Sequence, residues 1–216
     1  MWADAVREAA IASRGAGTDQ AIVDAIAHVR PASVIDIGCG EGWLTRRIRR
    51  EFACEAMGID ASATLIGHAR EADPAGHYAV LGYHQLADLP ARMTGPFDSA
   101  VCNFSLLDED VNSTLIAICD LLTDSGVLII QTLHPWVSAT NRAYQDGWTE
   151  ETFASLSSSG WAPMPWYFRT LESWVRQVDA AGMVLQSIHE PIDSSSAHPM
   201  SMILVCGKHT LHHRQP

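Results

Sequence analysis

The chain has 216 residues, of which 47% are hydrophobic and 18% are charged, so we expect a single domain over residues 1–216 with one well-packed core. Its formal net charge of −11 disfavours nucleic-acid partners, because affinity for a phosphate backbone comes mainly from Lys and Arg side chains. No secretory signal opens the sequence and no run approaches the roughly 18 apolar residues of a membrane span, so we expect a cytoplasmic protein without a membrane partner.

The first part of the chain alternates helix and strand patterns. Residues 1–30 are predicted to form an N-terminal helical cap, within which Ala21–His28 places its apolar residues on one helix face. Val34–Ile37 is a short apolar run typical of a buried strand, and a further helix is predicted to begin at Trp43. The helix over Ala21–His28 is expected to pack on the sheet that contains this strand.

A glycine-rich turn with the sequence Asp36-Ile37-Gly38-Cys39-Gly40-Glu41-Gly42 links this strand to the next helix. Its spacing, Gly-x-Gly-x-Gly, differs from the Gly-x-Gly-x-x-Gly of dinucleotide sites. Asp36 and Glu41 place negative charge where a pyrophosphate would otherwise bind at the helix N-terminus. The turn therefore favours a nucleotide-like ligand without phosphate, although a purely structural turn with Asp36 as a local hydrogen-bond acceptor stays open.

A second short strand, Ala56–Asp60, ends in an acidic residue. In nucleotide-binding α/β folds, an acid about 20 positions beyond the glycine turn accepts hydrogen bonds from ribose hydroxyl groups. Asp60 stands at that position. The alternative is that Asp60 only helps to cap the helix that follows Ser62.

The rest of the chain continues the alternation of strands and helices. Further strands are predicted at Tyr78–Leu81, Ser99–Phe104, Val127–Leu133, Val184–Ile188 and Met202–Cys206, and a helix is predicted over Leu171–Ala181. Such an alternation is typical of an α/β fold with a mainly parallel sheet.

Four motifs in order along this chain resemble those of the class I S-adenosylmethionine-dependent methyltransferases. The glycine turn is similar to motif I, and Ala56–Asp60, Gly95–Asn103 and Leu121–Ile130 are similar to the motifs of the second, fourth and fifth strands. The resemblance implies a Rossmann-like, seven-stranded, mostly parallel sheet with helices on both faces, closed by an antiparallel pair of strands. It also implies S-adenosyl-L-methionine as the cofactor and S-adenosyl-L-homocysteine as the product.

The resemblance assigns cofactor contacts to residues near the carboxyl ends of the strands, namely Asp36, Gly38, Cys39, Gly40, Asp60, Ala61, Tyr83, His84, Gln85 and Asn103. The region after the third strand departs from the family pattern, because the acid or small polar residue that often contacts adenine is absent. Tyr83, His84 or Gln85 could supply that contact. Each is equally compatible with an ordinary loop position.

Catalysis is expected at the carboxyl ends of the strands, where open α/β sheets bind ligands. The fourth strand ends in Asn103-Phe104-Ser105-Leu106, which lacks the two prolines common in methyltransferases that act on amide or nucleobase nitrogens. His134, after the fifth strand, is the candidate general base if the acceptor must lose a proton, since imidazole titrates near neutrality. The alternative is that His134-Pro135 simply ends the strand.

The connection over residues 136–168 is too long for an ordinary loop, and we expect it to form an aromatic-rich lid after the fifth strand. Arg169 or Arg142 would pair there with an acceptor carboxylate. A cover packed only for stability explains the aromatic residues equally well. The predicted acceptor-binding residues are Phe104, Trp136, Tyr144, Trp166 and Arg169.

No metal site is expected, because the acidic run Asp108-Glu109-Asp110 is explained equally well by the start of a helix. The sequence thus predicts transfer of a methyl group from S-adenosylmethionine to a small-molecule acceptor. It does not determine whether the acceptor atom is O, N, S or C, and it leaves a homodimer open. Two alternatives stay: a non-catalytic S-adenosylmethionine-binding module, and a nicotinamide-dependent oxidoreductase on the same architecture.

Overall fold

The structure is a computed structural model that describes residues 17–90, 93, 95–139, 142–151, 164–192 and 197–209. Nine strands are assigned within these residues: β1 (Ser33–Ile37), β2 (Glu55–Asp60), β3 (His77–Val80), β4 (Phe97–Asn103), β5 (Leu122–Leu133), β6 (Gly147–Glu151), β7 (Met164–Phe168), β8 (Met183–His189) and β9 (Ser201–Lys208). Seven strands form one sheet in the order β3-β2-β1-β4-β5-β9-β8, and β6 and β7 form a separate antiparallel pair.

The large sheet is parallel except at one strand. β1 pairs in parallel with β2 and β4, and the parallel pairing continues outward to β3 and β5. β9 runs antiparallel to both β5 and β8. The predicted α/β fold and its antiparallel closure are therefore confirmed. The strand order reverses between β1 and β4, which is where open α/β sheets form a ligand crevice.

The described helices are α1 (Asp19–Val29), α2 (Trp43–Glu51), α3 (Ala63–Ala72), α4 (Asn112–Leu121), the short α5 (Pro135–Ser138) and α6 (Leu171–Ala180), with a 3-10 helix over Tyr83–Asp88. Alternate strand residues point to opposite faces of the sheet. Val34 packs in a core with α1 and α2, whereas its neighbour Ile35 packs in a second core with α4 and α6. Helices therefore cover both faces, as predicted.

The strands extend beyond the apolar runs that predicted them. β5 begins at Leu122 instead of Val127, and β4 begins at Phe97 instead of Ser99. A register shift separates Phe97 from Ser99 in the pairing of these two strands. Backbone hydrogen bonds continue through polar residues because strand pairing does not require an apolar side chain. At α3, the Ser62 side chain accepts a hydrogen bond from the Leu65 N–H at 3.3 Å, which caps that helix.

Part of the predicted cap and lid lies outside the described residues. Residues 1–16 of the cap and residues 140–141 and 152–163 of the lid belong to that part of the chain. The described portion of the lid, residues 136–139, 142–151 and 164–168, includes most of α5 and the strands β6 and β7. The single-domain organisation, the cap and the lid stay predictions. None of the described helices combines the length and the apolar character that crossing a bilayer requires.

Two glycines with open space around them are expected to respond in opposite directions to alanine. Gly67 lies inside α3, where alanine is favoured by about 0.5–1 kcal/mol. Gly182, after α6, has a φ of +76°, so alanine there costs about 1 kcal/mol. Urea unfolding of both variants checks this expectation. Shifts of the same sign would show that backbone conformation does not set the difference.

Candidate functional site

A cleft opens at the carboxyl ends of β1 and β4, where the strand order reverses. The cavity volume of this cleft is about 240 Å³. The lining residues are Asp36, Gly38, Cys39, Gly40, Glu41, Trp43, Leu44, Asp60, Leu65, Tyr83, Asn103, Phe104, Ser105, Leu107 and Met164.

The glycine turn after β1 is anchored to the end of β2 by backbone hydrogen bonds. The N–H groups of Gly38 and Cys39 both donate to the carbonyl oxygen of Ile59, at 2.8 and 2.9 Å. Gly38 also lies so close to Ser105 that a Cβ atom at this position would be 2.4 Å from the Ser105 Cβ. A residue larger than glycine would therefore push the turn away from the segment after β4.

Gly40 faces open space within this turn. Its φ is +59°, and no heavy atom lies within 4 Å of the position that a Cβ would occupy. A left-handed backbone without a side chain lets a ligand approach the main chain closely. Gly40 is thus a lining residue whose missing side chain leaves open space beside the main chain.

Asp60, at the end of β2, bridges the turn and the start of α3. One carboxylate oxygen accepts a hydrogen bond from the Gly40 N–H at 2.9 Å, and the other accepts one from the Ser62 N–H at 2.8 Å. An ionised carboxylate has about four acceptor positions, so these two bonds leave capacity for ligand hydroxyl groups. The contact with Ser62 also fits the predicted alternative of a capping role.

Asp36 is buried, with 1% of its surface exposed, and it lines the cleft. Its carboxyl accepts a hydrogen bond from the Thr45 hydroxyl at 2.7 Å. Burial raises the pKa of Asp36 from 3.8 to about 7; the hydrogen bonds from Thr45 lower it, and the nearby charge of Asp60 raises it further. This carboxyl therefore titrates close to neutral pH. The bond from Thr45 also fits the predicted alternative of a purely local hydrogen-bond acceptor.

The end of β4 supplies a buried acceptor to the cleft. The side-chain oxygen Oδ1 of Asn103 has no hydrogen-bond partner among the described residues. Ser105 fixes the segment beyond, because its hydroxyl donates to the Ile37 carbonyl at 2.7 Å and its carbonyl accepts from the Tyr83 hydroxyl at 2.6 Å. A buried polar atom without a partner is costly, so Asn103 Oδ1 is suited to a ligand donor.

The structure brings seven of the ten predicted cofactor residues to the cleft and leaves Ala61, His84 and Gln85 outside its lining. Gln85 accepts a hydrogen bond from the Gly82 N–H at 3.0 Å and so caps the 3-10 helix, while His84 is exposed. The cofactor assignments stay predictions. Lining residues that the sequence did not assign to a ligand are Glu41, Trp43, Leu44, Leu65, Ser105, Leu107 and Met164.

His134 lies near the end of β5 but does not line the cleft. Its Nε2 atom is 2.7 Å from a carboxylate oxygen of Glu190, and its Nδ1 atom accepts a hydrogen bond from the Trp136 N–H at 3.2 Å. Both ring nitrogens are therefore engaged by neighbouring segments. These bonds account for the burial of the ring, and the general-base role of His134 stays a prediction.

Of the predicted acceptor-binding residues, Phe104 lines the cleft and the other four do not. Trp136 and Tyr144 are 57% and 52% exposed, and Trp166 is buried. Arg169 is 2% exposed, and its guanidinium donates to the carbonyl oxygens of Asp108 and Glu109. Within the part of the chain that the structure describes, no group of three or more His, Cys, Asp or Glu side chains could hold a metal ion.

Comparison with known proteins finds one family and related curated sequences. Residues 13–188 match a family model described as a methyltransferase domain. The ubiquinone biosynthesis O-methyltransferases of Burkholderia thailandensis and Burkholderia pseudomallei are each 29% identical over 108 residues, which cover 48% of this chain and 45% of the relative. The chain thus spans about half the length of the curated relatives that it matches.

Solved structures share the fold at low sequence identity. An S-adenosylmethionine dependent methyltransferase from Mesorhizobium loti has a TM-score of 0.64 at 19% identity, covering 85% of this chain and 95% of that one. The 1,6-didemethyltoxoflavin-N1-methyltransferase of Burkholderia thailandensis, solved with bound 1,6-didemethyltoxoflavin and S-adenosylhomocysteine, has a TM-score of 0.64 at 18% identity, covering 94% of this chain and 80% of that one. The cyclase SpnF also has a TM-score of 0.64 at 18% identity, covering 88% and 81%.

Proposed function

We propose, from the premise that this chain belongs to the methyltransferase domain family, that it transfers the methyl group of S-adenosylmethionine to a small-molecule acceptor. Membership confirms the family that the four sequence motifs predicted. The main support for the proposal is that the glycine turn and Asp60 contact each other and line one cleft, at the point where the strand order reverses.

The residues of this cleft fit the cofactor. The space beside Gly40 leaves the main chain open to close approach, and Asn103 Oδ1 is a buried acceptor without a partner among the described residues. S-adenosylmethionine carries a positive sulfonium and a positive ammonium group against one carboxylate. A cleft lined by the carboxyl groups of Asp36, Glu41 and Asp60 suits such a net positive ligand better than a pyrophosphate.

The part that the chain plays in catalysis is binding and alignment. Bound S-adenosylmethionine supplies a methyl carbon on a positively charged sulfur, open to in-line displacement by the acceptor atom. In this proposal Asp60 accepts hydrogen bonds from the ribose hydroxyls and Asn103 Oδ1 accepts one from the ammonium group. When the protein holds the acceptor atom in line with the methyl carbon, a bimolecular reaction becomes effectively unimolecular. Such alignment supplies much of the rate enhancement. A base role for His134 stays a prediction beside this proposal.

The test begins with calorimetric titration of the protein with S-adenosylmethionine, S-adenosylhomocysteine and NADH. Binding of the first two but not of NADH is expected. Gly40→Ala is expected to raise the Kd for S-adenosylhomocysteine at least about tenfold, because the added Cβ would occupy the open space beside this lining residue. Gly182→Ala is the matched control, since it has the same left-handed backbone and open surroundings away from the cleft. Binding of NADH alone would support the oxidoreductase instead.

Binding alone does not establish transfer, because the fold is shared with the cyclase SpnF. The second stage incubates the protein and S-adenosylmethionine with a panel of small phenols, amines, thiols and activated carbon acids, and measures the S-adenosylhomocysteine formed. Acceptor-dependent product, reduced in Gly40→Ala and retained in Gly182→Ala, is the expected result. Cofactor binding with no product from any acceptor class would favour the non-catalytic binding module.

The predictions about partners and location belong to the same proposal. The net charge of −11 and the acidic cleft support a small-molecule acceptor rather than a nucleic acid. A homodimer and a cytoplasmic location stay predictions from the sequence.

A further inference from the structure

One wall of the cleft is apolar and is assembled from two separate segments. Phe104 and Leu107 follow β4, and Met164 is the first residue of β7. The two segments are joined by the backbone, because the Tyr167 N–H donates to the Leu107 carbonyl at 2.8 Å. Arg169 strengthens the junction through its bonds to the carbonyl oxygens of Asp108 and Glu109. We call Phe104, Leu107 and Met164 the apolar wall.

Phe104, in the apolar wall, has an energetically unfavourable backbone conformation. Its φ is +52°, a left-handed conformation that costs a residue with a side chain about 1–2 kcal/mol. The Phe104 N–H donates to the Gln131 carbonyl on the neighbouring strand at 2.8 Å, which fixes this geometry. Strained backbone that the surroundings maintain is common at ligand sites. The position of Phe104 at the cleft is therefore fixed by its backbone bond to the sheet.

The charged side chains among the lining residues that the structure describes are all acidic. Asp36, Glu41 and Asp60 contribute carboxyl groups, and no Lys or Arg side chain lies among the lining residues that the structure describes. Arg169, one of the two predicted partners of an acceptor carboxylate, is buried between Tyr167 and Trp174, with its guanidinium carbon 4.8 and 5.2 Å from their ring centroids. A carboxylate on the acceptor would thus meet like charges in this cleft without a counter-ion from these residues.

We propose that the acceptor is an uncharged or cationic molecule whose apolar, preferably aromatic, part packs against Phe104, Leu107 and Met164, and that acceptors bearing a carboxylate are rejected. This inference rests on the proposed methyltransferase function and narrows its substrate class. The Met164 thioether and the Phe104 ring are well suited to contact an aromatic group.

The experiment uses cofactor analogues, so that no natural acceptor has to be known. The sulfonium is replaced by a protonatable nitrogen that carries a methyl, benzyl, carbamoylmethyl or carboxymethyl group in place of the transferable methyl. Their Kd values are measured by calorimetry on the wild type, Phe104→Gly, Met164→Ala and Val184→Ala. Glycine suits the left-handed backbone at position 104. Val184, on β8, is exposed and outside the cleft lining, and it provides the control position.

The benzyl analogue is expected to bind the wild type at least about tenfold more tightly than the carboxymethyl analogue. The carbamoylmethyl analogue, equal in size but uncharged, is expected to bind more tightly than the carboxymethyl one. The ratio of the carboxymethyl Kd to the benzyl Kd is expected to fall about tenfold in Phe104→Gly and several-fold in Met164→Ala, with no change in Val184→Ala.

Equal or tighter binding of the carboxymethyl analogue would overturn the inference, as would a benzyl advantage unchanged in both wall variants. S-adenosylhomocysteine serves as the reference ligand in every variant, since it has no group in the acceptor position. If S-adenosylhomocysteine binds while the expected preference fails, only this inference is wrong. If S-adenosylhomocysteine does not bind the wild type, the proposed function fails and this inference fails with it.

Discussion

Replacing Asp60 by alanine is expected to raise the Kd for S-adenosylhomocysteine at least about 100-fold. Hydrogen bonds to a charged group are worth about 1.5–3 kcal/mol each, and the proposed function gives Asp60 two ribose hydroxyl donors. The change also removes the acceptor that holds the Gly40 N–H at 2.9 Å, so the glycine turn loses an anchor. Calorimetric titration measures the effect directly.

Two variants separate the loss of this carboxylate from general effects. Asp124→Ala removes an exposed carboxyl near the start of β5, at the opposite end of the sheet, and is expected to leave the Kd unchanged. Asp60→Asn keeps one acceptor oxygen and is expected to fall between alanine and the wild type. A change below about threefold in a folded Asp60→Ala protein would remove Asp60 from the cofactor site.

The second large effect concerns the pH dependence of stability. Asp36→Asn is expected to stabilise the folded protein at pH 8 by up to roughly 4 kcal/mol and to change its stability little at pH 4. Asparagine is similar in size and retains an acceptor for the Thr45 hydroxyl, which lies 2.7 Å from the carboxyl oxygen. It carries no charge that burial would penalise.

The direction follows from the two states of the Asp36 carboxyl. Burial raises its pKa to about 7 in the folded protein, whereas the unfolded chain has a pKa near 3.8. Between these values the unfolded state has lost the proton and the folded state still binds it, so folding becomes less favourable as the pH rises. The contribution of Asp36 to stability is thus fully present below pH 4 and is lost by about pH 7.

Urea unfolding of the wild type and Asp36→Asn at several values between pH 4 and pH 8 measures the difference in the free energy of unfolding. Asp124→Asn, at an exposed position, controls for the loss of one negative charge. A difference that does not grow with pH would show that Asp36 ionises in the folded protein as readily as in the unfolded chain.

Much of the fold was predictable because its signals are local. The apolar runs of the strands and the Ser62 cap each lie within a few consecutive residues, and the structure places a strand or helix at each. The bounds were less accurate, since β5 continues through the polar residues after Leu122. The backbone pairing that extends this strand depends on its neighbours and not on its own side chains.

The candidate site divides in the same way. The glycine turn and Asp60 were identified from spacing, and both line the cleft. Met164 was missed because no local pattern indicates that a residue of a separate two-stranded sheet will reach the end of β4. Ser105 was missed as well, although its position directly after a predicted strand end was an available signal.

The sequence by itself determined the family, the alternation of strands and helices, and the turn that approaches a ligand. These features depend on residue types at short spacings, where backbone conformation and strand periodicity decide the outcome. The tertiary structure alone decided which side chains face the cleft. Arg169 bonds to a carbonyl 61 residues away, and His134 to a carboxylate 56 residues away. Such contacts form only when distant segments pack together, and they determine whether a charged side chain is buried or available to a ligand.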